Sequence, residues 1–298
     1  MALGLEADLI LDRRRLKRRL VFWQVLGVLA LAALALAIWR PGFATRHLAR
    51  VNVTGIITDS RPLLDAIERL RRDRSVPAVI VSVDSPGGSV AGGEALYDAF
   101  SRLAQAKPVV TVMRGTAASA GYMAALPAAR IFAREGTLTG SIGVILEAPE
   151  IGGLLAKLGA DVQTVKSGPL KDQPSLTAPL TPAGQAYLQG VVDNLFGQFV
   201  ARVATSRHLD PARVRELADG RAYTGQQALA LGLVDEIGGE PEARAWLARE
   251  KHVPATVPVR DLTSDGLYAR TVGAATQGLF HAMLGALPVA PSALALWR

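Results

Sequence analysis

Between residues 48 and 166, short apolar runs alternate with helical patterns, and this alternation limits the fold more than any other feature of the chain. The runs at 78–83 and 108–113 are rich in Val and Ile and lack a polar face, as is typical of strands buried on both faces. Helical patterns at 62–72 and 90–105 follow the strands in turn. Strands that alternate with helices predict right-handed crossovers and a mostly parallel sheet flanked by helices.

The same patterns predict the remaining elements of an α/β fold. Further strands are expected at 51–57, 130–133 and 161–166, and further helices near Ser119 and at 152–158. Beyond residue 181 the chain is expected to be mainly helical, with helices at 182–206, 211–218, 225–231 and 241–251. Residues 251–298 are rich in Ala, Leu and Pro, and we interpret them as a C-terminal extension.

Composition excludes several classes of chemistry. The chain has 298 residues, of which 50% are hydrophobic, enough for a substantial core. It contains no cysteine, which excludes disulfides, a thiolate nucleophile and Cys-based zinc sites. The histidines stand in no recognisable triad or metal-ligand context; they are His47, His208, His252 and His281. We therefore expect no metal and no cofactor.

The positive charge of the chain does not indicate a nucleic-acid partner. The net charge is +7, but six Arg or Lys residues lie within residues 1–20 alone. The remaining cations are spread along the sequence, without a basic stripe or an aromatic RNA-reading motif. We expect no nucleic-acid binding.

Residues 21–39 are apolar apart from Gln24 and would span about 28 Å as a helix, close to the hydrocarbon thickness of a bilayer. Trp23 and Trp39 stand near the two ends, as in an aromatic belt. These features predict a single transmembrane anchor. A buried core helix and a cleavable signal peptide are the alternatives.

The charges around this apolar segment predict its orientation. Six cations in residues 1–20 precede it, whereas fewer follow it. The positive-inside rule therefore places residues 1–20 in the cytoplasm and everything after residue 40 on the other side of the cell (inner) membrane, which is the periplasm in a two-membrane cell.

Two glycine-containing turns follow predicted strands. In the turn Asp84-Ser85-Pro86-Gly87-Gly88, glycine permits backbone conformations that aim N–H groups at a ligand. Such a turn supplies an oxyanion donor, or serves only as a tight strand-to-helix connection.

Ser119 lies in the second turn, at the start of a predicted helix. Its neighbours at 117–121 are Ala or Gly, and the helix N-terminus offers free N–H groups to developing negative charge. Ser119 would be a nucleophile with the N–H of Ala120 as a second oxyanion donor, or an ordinary helix N-cap. The motif is not Gly-x-Ser-x-Gly, because Ala117 takes the first Gly position.

Lys171 is the candidate base. It lies 52 positions after Ser119, in a chain with 27 Arg and only 6 Lys. A lysine acts as a base only when neutral, and removal from water favours its neutral form. The alternative is a solvated loop lysine. The spacing from Ser167 is one residue too long for a Ser-x-x-Lys dyad.

Six segments occur in a fixed order along the chain: 84–88, the small-residue frame of Ser119, 137–144, 166–172, 218–221 and 232–236. This ordered set resembles the signal peptide peptidase A family (S49) of Ser-Lys proteases over about residues 48–250. The resemblance implies a fold like that of Clp protease and crotonase. It also implies Ser119 as nucleophile, Lys171 as general base, Ser141 as hydrogen-bond partner of that lysine, and the N–H groups of Gly88 and Ala120 as oxyanion hole.

The resemblance further implies a membrane-anchored endopeptidase that degrades remnant signal peptides and other short or unfolded hydrophobic segments. Members with one copy of the domain form homo-oligomeric rings whose dyads are completed between neighbouring subunits. Two alternatives stay open: a related protease that cleaves a membrane partner such as a stomatin-like protein, and a catalytically silent membrane scaffold. The presence of both Ser119 and Lys171 disfavours the scaffold.

Overall fold

The computed structural model describes residues 20–29, 31 and 46–262. The chain divides into two units, Met1–Thr45 and Arg46–Arg298. In the first unit, residues 20–29 and 31 are helical. Within the described part of the chain, no helix has both the length and the apolar character that a bilayer span requires. Most of the predicted cytoplasmic segment, the second half of the predicted 21–39 anchor and most of the 251–298 extension lie outside the described residues, so the anchor stays a prediction.

The second unit is an α/β domain. Its strands are β1 (Leu48–Ile57), β2 (Val79–Gly88), β3 (Val109–Ala118), β4 (Arg130–Ala133), β5 (Leu138–Gly140), β6 (Ala222–Thr224), β7 (Glu236–Ile237) and β8 (Val259–Asp261). Its helices are α1 (Arg61–Arg72), α2 (Val90–Ala106), α3 (Ala120–Ala125), α4 (Gly152–Lys157), α5 (Pro182–Arg207), α6 (Pro211–Leu217), α7 (Gly225–Ala230) and α8 (Glu240–Lys251).

These strands form one sheet in the order β6-β5-β3-β2-β1-β8, and β4 pairs with both β3 and β7. All pairs are parallel except β5 with β6. The predicted α/β fold with a mostly parallel sheet is therefore confirmed. Strand β3 is shared: its first half pairs with β4 and its second half with β5.

Successive side chains of the central strands enter two different cores. Val79, Val81 and Val83 pack on one face of the sheet, while Ile80 packs on the other. The first core also takes residues of α1, α2, α3 and α5, and the second takes Leu247 of α8. Burial on both faces explains why these strands are unbroken apolar runs in the sequence.

The strand predicted at 161–166 is wrong. These residues pair with no strand and are exposed, and the side chain of Val165 is fully accessible. Valines at 162 and 165 give this segment the composition of a strand, but no strand of the sheet pairs with it. Conversely, β5, β6, β7 and β8 have only two or three residues each, and no pattern predicted them. Strand β8 lies in the 251–298 segment and pairs with β1.

The parallel strands give the sheet two distinct edges. Leu48, Val79, Val109 and Val259 begin their strands in near register, and we call this side of the sheet the amino edge. Strands β2, β3 and β5 end on the opposite side, the carboxyl edge. Loops at the carboxyl ends of parallel strands are where ligand sites of open α/β sheets lie. All the candidate residues that belong to strand ends lie at this edge.

Candidate active site

Ser119 joins β3 to α3 in a strained conformation. Its φ is 53° and its ψ is −121°, a region that non-glycine residues rarely adopt and that costs about 1–3 kcal/mol. The surrounding backbone holds it there: its N–H donates to the carbonyl of Gly140 at 2.9 Å, and its carbonyl accepts from the N–H of Met123 at 2.9 Å. Strain held by neighbouring structure is typical of an active-site turn.

The side chain of Ser119 does not cap α3. Ser119 occupies the N-cap position of this helix, but its hydroxyl makes no capping hydrogen bond. The residue is half-buried. The ordinary N-cap role, one of the two interpretations of the sequence, is therefore absent, and the hydroxyl remains available for chemistry.

The Gly87-Gly88 turn lies directly against Ser119. A Cβ atom on Gly87 would come within 2.8 Å of the Ser119 Cβ and 3.3 Å of its Oγ, and Gly87 has a φ of 121°. A Cβ atom on Gly88 would collide with the backbone of Ile57 in β1. Only glycine fits either position, and the structure brings this turn and the candidate nucleophile together.

Ser85 positions this turn, a role that the sequence did not indicate. Its hydroxyl is fully buried, donates to the carbonyl of Gly55 at 2.6 Å, and accepts from the N–H of Gly87 at 3.1 Å. Register irregularities in β1 near Gly55 and in β2 near Ser85 accompany these bonds. Such bulges re-aim the end of a strand, here toward Ser119. The buried polar side chain is visible only in the folded chain.

Ala120 is the first residue of α3 and is buried beside the same turn. It packs so closely on α2 that a Cβ atom on Gly93 would lie 2.9 Å from the Ala120 Cβ. Gly121, the next residue, approaches the backbone of Ser85. The small residues around Ser119 therefore serve close packing between the helix start and the Gly87-Gly88 turn.

Ser141 follows β5 and lies next to the Ser119 turn. Gly140 pairs with Ala118 and accepts the Ser119 N–H, so Ser141 is the residue beyond that contact. Ser141 is half-buried and has a φ of 47°. Its N–H donates to the carbonyl of Arg221 at 2.9 Å. Two strained serines thus stand at the ends of paired strands.

A buried threonine fixes β3 to β5 behind Ser119. The hydroxyl of Thr139 donates to the carbonyl of Ala117 at 2.8 Å, and Thr139 is fully buried. In the same way, the Thr137 hydroxyl donates to the carbonyl of Arg114 at 2.6 Å. These bonds hold the end of β3 in register with β5. Both threonines belong to the matching segment 137–144, but sequence reasoning assigned neither of them a role.

A polar network supports α3 from the far side. The hydroxyl of Tyr122 donates to the carbonyl of Leu233 at 2.8 Å, and burial raises the pKa of this hydroxyl. Arg207 donates to both carboxylate oxygens of Asp235, at 2.7 and 3.0 Å, and to the carbonyl of Gly232. Segment 232–236, one of those that carry the family resemblance, therefore positions the helix that begins beside Ser119.

Lys171 stands in a different environment. It lies in a turn closed by the bond from its N–H to the carbonyl of Gly168, and its side chain is exposed. Among residues 46–262, no hydrogen bond joins its side chain to Ser119. Nearby Lys166 pairs with Asp172 at 3.3 Å instead of ending a strand.

Residues 143–181, which we call the lysine segment, are largely exposed although many of their side chains are apolar. The most exposed are Val165 at 101%, Ile145 at 85% and Leu158 at 72% of full accessibility. Exposed apolar side chains that form a large patch typically mark an interaction site.

The carboxyl edge is suited to acyl transfer. A serine hydroxyl without a capping bond faces a glycine turn that can present N–H groups, beside the start of a helix. This arrangement can stabilise an oxyanion formed by attack on a carbonyl. Within the described residues, no group of His, Asp or Glu side chains could hold a metal ion.

Family models match this chain over the region just described. The model of Peptidase family S49 matches residues 101–254, and that of Clp protease matches residues 62–137. A protein of Synechocystis sp. that is named as a protease is 42% identical over 214 residues, 71% of this chain and 77% of the relative. A protein of Enterococcus faecium named as signal peptide peptidase SppA is 34% identical, over 70% of this chain and 65% of the relative.

The membrane-bound stomatin-specific protease 1510-N aligns with a TM-score of 0.49 and 18% identity, over 74% of this chain and 98% of that chain.

Proposed function

Because the chain belongs to peptidase family S49 and is a protease of the serine type, we propose that it is a membrane-anchored endopeptidase with a Ser-Lys dyad. Its substrates are remnant signal peptides and other short or unfolded hydrophobic segments. Ser119 attacks the peptide carbonyl, Lys171 takes the hydroxyl proton and passes it to the leaving amine, and water resolves the acyl-enzyme. Ser141 hydrogen-bonds the lysine.

The geometry of Ser119 carries this proposal. The strained strand-to-helix turn, the missing capping bond and the close approach of Gly87, which leaves no room for a side chain, all favour a nucleophile. The N–H groups of Gly88 and Ala120 serve as oxyanion donors. A single lost donor of this kind typically reduces turnover by about 10² to 10³.

The exposure of Lys171 favours a site completed by a second copy of the chain. A lysine base needs an environment with little water, and its present surroundings are open. The exposed apolar side chains of the lysine segment supply a surface for another copy to cover. In a homo-oligomeric ring, this packing would bring Lys171 of one copy to Ser119 of the next and remove water from both.

The apolar segment 21–39 supports the membrane anchor. With residues 1–20 in the cytoplasm, the protease domain lies on the extracytoplasmic side of the cell (inner) membrane. Signal peptides left in the bilayer after cleavage are apolar, and an enzyme anchored in the same bilayer meets them at high local concentration.

Peptide hydrolysis tests the proposed activity. Full-length protein and its Ser119→Ala variant are incubated with an unfolded apolar peptide of signal-peptide type, with a polar peptide of equal length, and with a folded protein. We expect cleavage of the apolar peptide by the unaltered protein alone, with the products identified by mass spectrometry.

Two outcomes would contradict the proposal. Equal cleavage by Ser119→Ala would exclude Ser119 as the nucleophile. A preference for the folded protein or for one defined membrane protein over the apolar peptide would exclude the proposed substrate class and favour a dedicated membrane-protein protease.

A further inference from the structure

The amino edge, opposite the candidate active site, carries two adjoining clefts. Their volumes are about 350 and 460 Å³, and Pro108 and Lys251 line both of them. The smaller cleft has a largely apolar wall that includes Pro77 and Val257. Its rim carries the cations Arg46 and Lys251. A cleft with an apolar wall and a cationic rim suits a ligand that has an anionic group beside aliphatic carbon.

Cations also dominate the surface around these clefts. Helix α1 ends at this edge with basic residues in its last turn, and Arg74 follows in the loop to β2. Among the carboxylates here, Glu68 is bound by Arg71 and Arg72, and the Arg71 hydrogen bond lowers its pKa to about 2. Besides the exposed carboxylate of Asp73, the exposed cations Arg46, Arg69, Arg74 and Lys251 lie at this edge.

Part of this positive charge has a structural role. The ammonium group of Lys107 donates to the carbonyls of Leu70, Asp73 and Val76 at 2.6, 2.7 and 3.1 Å, which ends α1. Arg46 and Lys251 differ, because they stand on the cleft rim. The ammonium group of Lys251 lies 5.5 Å from the Trp246 ring, which holds it at this edge.

The position of Arg46 in the chain indicates what the amino edge faces. Only residues 40–45 separate Arg46 from the apolar segment 21–39. Even fully extended, this link reaches about 25 Å. If the segment spans a bilayer, as the proposed function has it, this link keeps Arg46 within about 25 Å of the membrane surface. Strand β3 has ten residues and ends at Ala118, so Ser119 lies roughly 30 Å from the amino edge.

We propose that the amino edge binds the anionic phospholipid headgroups of the bilayer that holds the anchor. Headgroup phosphates contact Arg46 and Lys251, and adjoining aliphatic carbon lies against the cleft wall. This contact holds the sheet upright, with the active site at the carboxyl edge facing away from the membrane. The inference rests on the proposed anchor but not on the proposed peptidase chemistry.

Fluorescence quenching in reconstituted membranes tests this contact. The chain has no cysteine, so a single introduced cysteine takes a label specifically. Gln105→Cys places the label at the larger cleft of the amino edge, and Thr58→Cys places it at the carboxyl edge. Full-length protein is inserted into vesicles of phosphatidylcholine alone, or of phosphatidylcholine with phosphatidylglycerol, each with a quencher on the lipid headgroup.

We expect the label at position 105 to be quenched strongly in the anionic vesicles and weakly in the neutral ones, and the label at position 58 to be quenched weakly in both. High salt should remove the difference, because it screens exposed charges. Arg46→Gln with Lys251→Gln should weaken docking by about fivefold for each residue. The charge-matched control, Arg61→Gln with Arg213→Gln, should leave quenching unchanged.

The outcomes separate this inference from the anchor itself. Flotation and resistance to alkaline extraction report insertion in the same samples. The protein could insert while the label at position 105 is quenched equally in both lipids, or while the Arg46 and Lys251 substitutions leave the quenching unchanged. Either result would overturn the headgroup contact and leave the anchor intact. A protein that fails to insert overturns the anchor and this inference together, while peptide hydrolysis would still report on Ser119.

Discussion

Ser119 and Lys171, the two proposed members of the dyad, stand in opposite kinds of structure. Ser119 is held at the end of a central strand by backbone bonds to Gly140 and Met123, among buried residues. Lys171 lies in a long exposed segment whose apolar side chains face solvent. One chain therefore builds the surroundings of the proposed nucleophile and the glycine turn beside it, whereas the proposed base lies in a part of the same chain that is open to water.

The largest effect is expected when the proposed base, Lys171, is removed. Lys171→Ala should reduce peptide hydrolysis roughly 10³-fold or more, because a serine hydroxyl without its base is a weak nucleophile. The fold of the domain should stay unchanged, since the Lys171 side chain is exposed within its own chain. Lys157→Ala, an exposed lysine of the same segment, is the control and should keep full activity. Equal losses in both variants would remove Lys171 from the mechanism.

A substitution at Gly87 tests the turn that lies against Ser119. Gly87→Ala should reduce hydrolysis roughly 10²-fold by displacing the oxyanion turn. It should also lower the free energy of unfolding by about 1–3 kcal/mol, because its φ of 121° and the 2.8 Å approach to Ser119 suit only glycine. Gly153→Ala, in the lysine segment, meets no atom within 4 Å and should be neutral. Denaturant unfolding and hydrolysis rates would be measured for both; a harmless Gly87→Ala would contradict the tight fit of the turn.

The exposed apolar surface can be tested by adding charge. Leu158→Asp should weaken self-association by roughly 10- to 100-fold, since a buried leucine contributes about 1.5–3 kcal/mol. Hydrolysis should fall in proportion to the lost oligomer, while the thermal unfolding of the domain stays the same. Leu229→Asp, on α7, provides the control. Mass photometry across a concentration series gives the association constant, and an unchanged constant would mean that copies do not meet at the lysine segment.

The smallest loss of hydrolysis is expected from removing the buried Thr139 hydrogen bond that joins β5 to β3. Thr139→Val leaves the Ala117 carbonyl without its donor in a buried place, which should cost about 1–3 kcal/mol of stability and reduce hydrolysis only severalfold. Thr54→Val, on an exposed strand position, should have little effect on either quantity. If Thr139→Val matched its control in both measurements, β5 would not be what holds the Ser119 turn.

The sequence predicted the central sheet because buried parallel strands leave a strong signal. Runs such as residues 78–83 can be apolar on both faces only if layers of helices cover both sides. Strands of two or three residues, such as β7, are too short for any periodicity and were missed. Residues 161–166 have the composition of a strand but are exposed and pair with no strand. Composition alone does not show whether another strand is near enough to pair with.

The candidate site shows the same limit. The motif around Ser119 suggested a nucleophile, but only the fold shows that its φ is positive and that its hydroxyl leaves α3 uncapped. Ser85 and Thr139 act through buried hydrogen bonds to carbonyls distant in sequence, and local patterns do not reveal such contacts. The pairing of Ser119 with Lys171 stays a prediction.

Mixing two inactive variants tests whether Ser119 of one copy meets Lys171 of another. Ser119→Ala and Lys171→Ala proteins are dissociated, combined in equal amounts and reassembled, and peptide hydrolysis is measured. If each site joins Ser119 of one copy to Lys171 of another, random assembly should restore about one quarter of the unaltered rate. If the mixed assemblies form but remain as inactive as either variant alone, the two residues do not meet between copies, which contradicts a site shared by neighbouring subunits.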